Sequence, residues 1–359
     1  MKKLLFLGAL ALSLGFVSCS DNNDDFIPEV DYRQGAFVLN EGNFSDGHGT
    51  LTYINSRTGE VTDSIYYKVN GELLGNVCQD MFMADGKWYI ISQNGKKDGS
   101  GDLLTIVDAR TLKKIKSISP AAWVGKNPTS VAVIADHIYV MAVGGIYLYT
   151  GNGEPTLIAN TETVKKGRLT TAGNKVYAMT NDHQVLVISG NKVIKKVAVG
   201  GNPSGLMRAS DGHLWLSYTD PNTICKWDVT KDEIIKRNAL TQKIGAGWGV
   251  APAFGASGNY IYFSNADTII YQHDFAANTT KEFVKVPDYI PNAKIYYNSL
   301  GVDPATGEVY FASFKGWGQD YKVNNTTVFA VRNTTVTKKW NFENVNVFPA
   351  GVYFPASFQ

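Results

Sequence analysis

The sequence has little cysteine and lacks the short motifs that mark most catalytic and metal sites. Its 359 residues include three cysteines, and no CxxC, HExxH, GxSxG, Walker or EF-hand pattern occurs. Cys78 and Cys225 lie in different copies of the repeat described below, so we expect two buried thiols rather than a disulfide bond. No nucleophile and base can be paired from the sequence, and the protein is predicted not to be an enzyme.

An excess of charge of either sign is missing too. The chain has 34 Lys and Arg residues and 32 Asp and Glu residues, which gives a formal net charge of +2. A balanced surface lacks the basic patch that binds nucleic acids or anionic membranes. We therefore expect no nucleic-acid partner. The lysine-rich segments 113–116 and 193–197 are predicted to be solvent-exposed outer strands, where lysine also opposes pairing with other chains.

Amphipathic helical patterns longer than two turns are also missing, whereas short strand-like segments are frequent. One seven-residue phrase occurs seven times, with starts 38 to 52 residues apart. That spacing is close to the roughly 40 to 50 residues of one propeller blade. The copies are QGAFVLN (34–40), GKWYIIS (86–92), DHIYVMA (136–142), NKVYAMT (174–180), GHLWLSY (212–218), NYIYFSN (259–265) and GEVYFAS (307–313).

Apolar segments flank the phrase in a constant order. A short strand, often introduced by Asn-Pro as in 127–135 and 202–210, precedes most copies, and two further strands follow. The first copy has no preceding strand, but the C-terminal segment 348–356 resembles the missing one. We therefore predict an all-β fold over residues 32–359. It is a seven-bladed β-propeller of four-stranded antiparallel blades, and its C-terminal strand closes the ring in blade one.

The N-terminus has the pattern of a secretory leader. Residues 1–18 are predicted to be a lipoprotein signal peptide, because two lysines precede the apolar run 4–17. This run is too short for a membrane-spanning helix with flanking anchors. Cys19 follows a small residue and is the predicted lipidation site, with ordinary leader cleavage beside an incidental cysteine as the alternative. The acidic segment 19–31 is predicted to be a flexible tether.

Loops on one face of the predicted ring are rich in aromatic and amide side chains. Trp123, Trp248 and Trp317 lie in glycine-flanked loops, and an exposed indole is unfavourable unless it packs or stacks. Each indole could instead fold over its neighbouring blade. Three indoles at similar loop positions favour a rim on which a large ligand stacks, while Asn and Asp side chains form hydrogen bonds with that ligand. The predicted ligand-binding residues are Phe44, Trp123, Asn181, Asp182, Tyr218, Trp248, Tyr297, Trp317 and Tyr321.

Candidate metal ligands form no recognisable set. His48 and His183 lie in loops on the same face, without the spacing of a two-histidine metal motif. Glu41, Asp80 and Asp303 fall near predicted inner strands, where hydrolytic propellers hold a central calcium ion, but they do not occupy equivalent positions of the repeat. No metal or cofactor is predicted, and a calcium-dependent lactonase-like hydrolase remains an alternative.

The first two repeats carry a family resemblance. Segments LNEGNF (39–44), GTLTYIN (49–55) and VNGELLGNVCQDM (69–81) resemble the opening blades of surface propeller lipoproteins of the YncE-like group, and in particular of the BtuG-type proteins. The resemblance implies binding of cobalamin (vitamin B12) at the cell surface and its delivery to a TonB-dependent outer-membrane transporter. A surface propeller that binds a glycan or a protein is the alternative.

The N-terminus resembles the same class of protein. An acidic segment directly after a lipidated cysteine is similar to the export signal of surface lipoproteins in anaerobic Gram-negative gut bacteria. The resemblance implies that acyl chains alone hold the protein on the outer membrane, facing the cell exterior. It supplies no compact ligand-contact motif, so the predicted site depends on the loop positions.

Overall fold

The fold is a ring of seven antiparallel β-sheets with four strands each. This confirms the predicted seven-bladed propeller. The predicted signal peptide, Cys19 and most of the predicted tether lie outside the described residues. None of the helices within the described ranges has the length and hydrophobicity that a membrane span requires. The computed structural model describes residues 30–45, 47–244, 248–252, 254–264, 268–332 and 335–358.

The strands follow in chain order, four to a blade. Blade 1 contains β1 (Ala36–Asn40), β2 (Thr50–Ile54), β3 (Val61–Thr62) and, as its innermost strand, β28 (Pro349–Tyr353). Blade 2 contains β4 (Asn76–Ala84), β5 (Lys87–Gly95), β6 (Leu104–Asp108) and β7 (Lys114–Ile118), and blade 3 contains β8 (Ser130–Ile134), β9 (His137–Ala142), β10 (Gly145–Tyr149) and β11 (Thr156–Leu157). Blade 4 contains β12 (Thr170–Ala172), β13 (Lys175–Met179), β14 (Gln184–Ser189) and β15 (Lys192–Ala198), and blade 5 contains β16 (Asn202–Arg208), β17 (Leu214–Thr219), β18 (Thr223–Asp228) and β19 (Glu233–Ala239). Blade 6 contains β20 (Phe254–Ser257), β21 (Tyr260–Phe263), β22 (Ile269–Asp274) and β23 (Thr279–Lys285), and blade 7 contains β24 (Ile295–Val302), β25 (Val309–Phe314), β26 (Asn324–Arg332) and β27 (Thr335–Glu343). The helical segments are α1 (Ile65–Asn70) and the 3-10 turns Ala121–Trp123, Val286–Asp288, Gly318–Lys322 and Pro355–Phe358.

Burial decreases from the centre of each blade to its rim. All residues of the second strands β1, β17 and β25 are buried, because neighbouring blades cover both of their faces. The outermost strands β7, β15 and β19 are largely exposed or half-exposed, which confirms the prediction for the two lysine-rich segments. Cys78 and Cys225 are buried free thiols, as predicted.

The C-terminal strand closes the ring as predicted. β28 pairs antiparallel with β1, so that Phe37 lies opposite Tyr353 and Val38 lies opposite Val352. This pairing leaves β1 without an open edge. Against blade 7, Gly301 leaves room for the closing strand, since a Cβ atom at Gly301 would lie 2.6 Å from Val352 Cβ.

Asp80 links four blades near the centre of the ring. Its carboxylate accepts hydrogen bonds from the Ser130 hydroxyl at 2.6 Å, the Tyr353 hydroxyl at 2.8 Å and Arg168 Nε at 3.1 Å. The backbone N–H of Val131 is a fourth donor at 3.3 Å. Four of these residues lie in the innermost strands of blades 1, 2 and 3, and Arg168 precedes β12 of blade 4. We call these five residues the axial network.

Residues at the carboxyl ends of six innermost strands, together with the first residues of β20, line one cavity, so these six strands run in the same direction. We define the upper face as the side on which these strands begin and the lower face as the side on which they end. The second strand of each blade is antiparallel to the first and therefore ends on the upper face. The loops that follow the repeated phrase consequently share this face.

Candidate ligand-binding site

Six aromatic side chains gather on the upper face. Trp317 has its ring centre 6.3 Å from that of Trp248 and 6.3 Å from that of Tyr297. Phe348 in turn lies 5.6 Å from Tyr297 and 4.7 Å from Tyr321. These separations are those of favourable aromatic pairs, so loops of different blades form one surface. We call the group the aromatic cluster; its members are Trp248, Tyr297, Phe314, Trp317, Tyr321 and Phe348.

The aromatic cluster is buried at its base and open above. Phe314 is buried, three members are half-buried, and Trp248 and Trp317 are 66% and 52% exposed. Large apolar rings grouped together in water mark a binding surface more often than scattered ones do. Because the neighbouring rings already hold the two indoles in place, a ligand would find a preformed stacking platform.

Local backbone contacts shape the loop that carries Trp317. The indole stands directly before the 3-10 turn Gly318–Lys322. Lys315 Nζ and Asp320 Oδ1 form an ion pair at 3.0 Å, and the Lys315 backbone N–H donates to the Val323 carbonyl at 2.9 Å. The loop is therefore closed on itself, and the indole projects from a defined turn.

Backbone irregularities mark the inner part of the cluster. The pairing of β24 with β25 shifts register between Tyr296 and Leu300, a span that contains Tyr297. Phe348 has a φ angle of 52°, a left-handed conformation that costs a bulky residue about 1–3 kcal/mol. The Glu41 backbone N–H stabilises it by donating to the Phe348 carbonyl at 2.8 Å. Bulges and strained residues are both enriched at functional sites.

One acidic and one basic side chain lie beside the aromatic cluster. The Tyr297 hydroxyl donates to Glu41 Oε2 at 3.2 Å. Burial raises the pKa of Glu41 above its ordinary value, and the positive charge of Lys166 opposes that shift. Lys166 Nζ donates to the Trp248 backbone carbonyl at 3.0 Å. The site thus combines a stacking surface with a carboxyl and an ammonium group.

A shallow depression extends the site across the upper face. It has a volume of about 290 Å³ and is lined by residues from blades 2 to 4, both polar ones such as Gln93 and Glu162 and apolar ones such as Met141. Lys166 lines this depression and also reaches the backbone of Trp248. The depression and the aromatic cluster therefore adjoin each other and form a broad basin that carries both apolar and polar groups.

A protein family matches nearly all of this propeller. Residues 34–357 match the family described as a domain of unknown function, DUF5074. The chain belongs to this family. The match begins before β1 and ends after β28, so the DUF5074 domain includes all seven blades and the closing strand. No curated protein matches the chain.

Solved structures similar to this DUF5074 domain have low sequence identity to it. A protein from Lactobacillus plantarum is 16% identical with a TM-score of 0.58, over 89% of this chain and 99% of that chain. Virginiamycin B lyase from Staphylococcus aureus is 16% identical with a TM-score of 0.51, over 73% and 83%. The computationally designed protein Ika8 is 11% identical with a TM-score of 0.52, over 89% of each chain. These similarities support the fold and nothing beyond it.

Four of the nine predicted binding residues meet in the aromatic cluster of this DUF5074 domain. Trp248 and Trp317 form its exposed part, and Tyr297 and Tyr321 lie between them and Phe348. These four residues were predicted because the repeat places them in loops of the upper face. Their contact with a ligand stays a prediction.

Three other predicted residues lie exposed in separate loops of the upper face. Phe44 is 68% exposed in the loop between β1 and β2. Asn181 and Asp182 form the turn between β13 and β14. A hydrogen bond from the Thr180 side chain lowers the pKa of Asp182, and the Asn181 backbone N–H donates to the Thr163 carbonyl at 2.9 Å. Asn181 and Asp182 therefore have a local role in this turn.

Two of the predicted binding residues are buried, and their assignment to the exposed rim was wrong. Trp123 is fully buried in the 3-10 turn Ala121–Trp123, with its ring centre 5.8 Å from that of Tyr149. Tyr218 is 5% exposed and packs between blades 4 and 5. Gly201 makes room for it, since a Cβ atom there would lie 2.3 Å from Tyr218 Cδ2. Both rings fill gaps in the core and are unavailable to a ligand.

Sequence reasoning missed three residues of this site. Phe314 directly follows the seventh copy of the repeated phrase, at a position where most other copies are followed by a polar residue. Phe348 stands at the head of the closing segment, where two other copies have Asn-Pro. Lys166 carried no signal, because its proximity to Trp248 results from the ring geometry alone.

The residues considered as calcium ligands have other partners. The Asp80 carboxylate accepts four hydrogen bonds in the axial network, and Asp303 accepts one from the Ala305 backbone N–H at 2.9 Å in a turn. His48 Nδ1 lies 2.9 Å from the Leu74 carbonyl oxygen. Among the described residues, no three His, Cys, Asp or Glu side chains come together as a metal site.

Proposed function

We propose that this DUF5074 protein is a non-enzymatic binding protein of the cell surface. It captures cobalamin on its upper face and delivers it to a TonB-dependent outer-membrane transporter. The resemblance of the first two blades to BtuG-type propellers suggests this ligand, and the upper-face basin is compatible with it.

The observation that carries the proposal is the aromatic cluster with its two exposed indoles. A corrin with its nucleotide loop is large, rigid and surrounded by amide groups, so it suits a broad basin better than a narrow cleft. Trp248 and Trp317 provide stacking surface. Glu41 and Lys166 provide hydrogen-bonding groups beside it.

The proposal places the protein on the outer membrane through acyl chains on Cys19. Replacement of Cys19 by alanine is expected to abolish incorporation of labelled fatty acid and to release the protein from the membrane fraction. Retention of the label in the Cys19→Ala variant would show that the anchor lies elsewhere.

Calorimetry with cyanocobalamin tests the ligand. The chain from residue 26 onward contains the whole compact unit Asp31–Gln359. We expect saturable binding of one cobalamin per chain. Absence of a binding signal at about 50 µM protein, a concentration that detects even micromolar affinities, would refute the proposal.

A glycan ligand is the second candidate, because exposed tryptophan side chains that project from a rigid base also stack against sugar rings. A glycan array probed with the same chain separates the two ligands. Specific retention on the array without calorimetric binding of cyanocobalamin would favour the glycan.

A further inference from the structure

The lower end of the ring contains a second cavity. Its volume is about 300 Å³, and residues from the innermost strands of all seven blades line it. Six of these strands begin on the upper face and end at this cavity, and β20 lines it with its first residues, Phe254 and Gly255, so the two sites lie at opposite ends of the ring. The wall is mixed: apolar side chains such as Met83, Val133 and Leu300 lie beside polar ones such as Thr170 and Ser357.

Arg168 is the ionised side chain that lines the interior of this cavity. Its guanidinium packs on the ring of Tyr353, with 4.5 Å between Cζ and the ring centre, and 17% of the side chain is exposed. Arg168 Nε donates a hydrogen bond to Asp80 Oδ1 at 3.1 Å. Nη2 has no hydrogen-bond partner among the described residues. Nη2 itself is closed off from solvent, so a ligand acceptor would meet the exposed part of the Arg168 side chain, which lines the cavity.

The other charges around the cavity are balanced. Asp85 and Arg208 line it as well, and both are exposed to solvent. The Asp80 carboxylate behind Arg168 already accepts hydrogen bonds from four donors. An additional acceptor would therefore meet the guanidinium of Arg168 rather than an unpaired carboxylate.

We propose that this lower cavity binds a small molecule with an apolar body and a carboxylate. The apolar body lies among the strand-end side chains, where burial from water stabilises it. The carboxylate accepts a hydrogen bond from Arg168, and a charge-assisted bond of this type is the stronger kind. The volume is at the lower end of the range for ligand pockets, so the ligand is small. This site is independent of the proposed cobalamin site.

Octanoate and its neutral analogue octanol are the probes. Calorimetry on the chain from residue 26 onward should show octanoate binding about tenfold or more tightly than octanol, the difference expected of one hydrogen bond to a charged group. Equal affinities for the two probes would overturn the role of Arg168. Absence of octanoate binding would overturn the site.

Two variants locate the binding. Arg168→Met should remove the preference for octanoate over octanol, because it keeps an apolar chain of similar length without the donors. Met207→Trp should reduce binding of both probes about tenfold or more, since the larger ring occupies the cavity. The Met207→Trp variant leaves the axial network intact, so it still tests the site if Arg168→Met does not fold.

Cyanocobalamin separates this proposal from the upper-face function. Met207→Trp should leave cyanocobalamin binding as it is in the unaltered chain, whatever that binding is. Octanoate binding that persists unchanged in Met207→Trp would place the octanoate outside the lower cavity and refute the proposal.

Discussion

At the scale of single residues, the two exposed indoles are expected to contribute most to cobalamin affinity. Trp248→Ala and Trp317→Ala should each weaken cyanocobalamin binding by about 1–2 kcal/mol, the loss typical of an aromatic residue at the centre of an interface. The melting temperature should change little, because both side chains are more than half exposed. Calorimetry and thermal denaturation measure the two effects.

A matched control for these variants lies outside the aromatic cluster. Tyr67 in α1 is also 52% exposed, so Tyr67→Ala removes a similar exposed ring from a different surface. It should bind cyanocobalamin as the unaltered chain does. If Tyr67→Ala lost as much affinity as the tryptophan variants, the aromatic cluster would not be the site.

Trp123 is expected to behave in the opposite way. Trp123→Ala leaves a cavity in a fully buried region and should lower the free energy of unfolding by roughly 3–5 kcal/mol. Trp123→Phe should cost less, because the indole Nε1 has no hydrogen-bond partner among the described residues. Urea denaturation measures both. If the Trp123→Ala variant were as stable as the unaltered chain but bound cyanocobalamin more weakly, Trp123 would belong to the binding site.

The sequence around these tryptophans could not separate the buried one from the exposed ones. Trp123 and Trp248 both stand near glycines in loops of similar length. The difference arises from a partner distant in the chain. Tyr149 of β10 packs against Trp123, whereas the neighbour of Trp248 is Trp317, which is itself more than half exposed. Such pairs become visible only when the ring is assembled.

At the scale of elements, local sequence patterns predicted the strands but not the irregularities in their pairing and backbone conformation. Each copy of the repeated phrase corresponds to the second strand of a blade, because continuous apolar runs report a strand covered on both faces. The register shift beside Tyr297 and the left-handed φ of Phe348 leave no such trace. The Phe348 conformation is held by the backbone N–H of the distant Glu41, and the register shift lies within the pairing of two consecutive strands.

The closing strand gives a prediction at this scale. A chain that ends at residue 347 lacks β28, so the inner edge of β1 is left unpaired and free to pair with other chains. We expect loss of a single sharp unfolding transition and the appearance of oligomers, measured by circular dichroism and size-exclusion chromatography. A chain that ends at residue 358 keeps β28 and the Phe358 ring that packs on Phe82 and Trp88, and it should show the oligomeric state of the full chain and a cooperative transition.

The opposite result would also be clear. If the chain that ends at residue 347 kept the oligomeric state of the full chain and unfolded as sharply as the longer one, ring closure by β28 would not hold the propeller together. The hydrogen bond from the Glu41 backbone N–H to the Phe348 carbonyl would also be lost in this chain. Its upper face should therefore bind cyanocobalamin more weakly even where the remaining blades fold.

At the scale of the whole molecule, the axial network separates two proposed binding surfaces of different chemistry. Above it, exposed indoles adjoin Glu41 and Lys166. Below it, apolar and polar side chains at the strand ends surround Arg168. The repeat period predicted the ring that brings these surfaces to opposite ends, but it did not predict the network, since the partners of Asp80 lie 50, 88 and 273 residues away in the chain.

Removal of one charge from the axial network should affect the stability of the entire ring. Asp80→Asn leaves the Arg168 guanidinium largely buried without its counter-charge, and a loss of roughly 3–5 kcal/mol in the free energy of unfolding is expected. Arg168→Met leaves the Asp80 carboxylate without its cation and should cost a similar amount. Because the network joins four blades, both variants should shift one cooperative transition rather than create a second one.

The double variant Asp80→Asn/Arg168→Met tests whether the two charges act as a pair. It removes both charges at once, so no unpaired ion is left inside the ring, and its loss should be smaller than the sum of the single losses by about 1–3 kcal/mol. Urea unfolding of the four proteins, followed by circular dichroism, gives this coupling energy. Additive losses would mean that Asp80 and Arg168 stabilise their own blades separately, and that the centre of the propeller is held by strand packing alone.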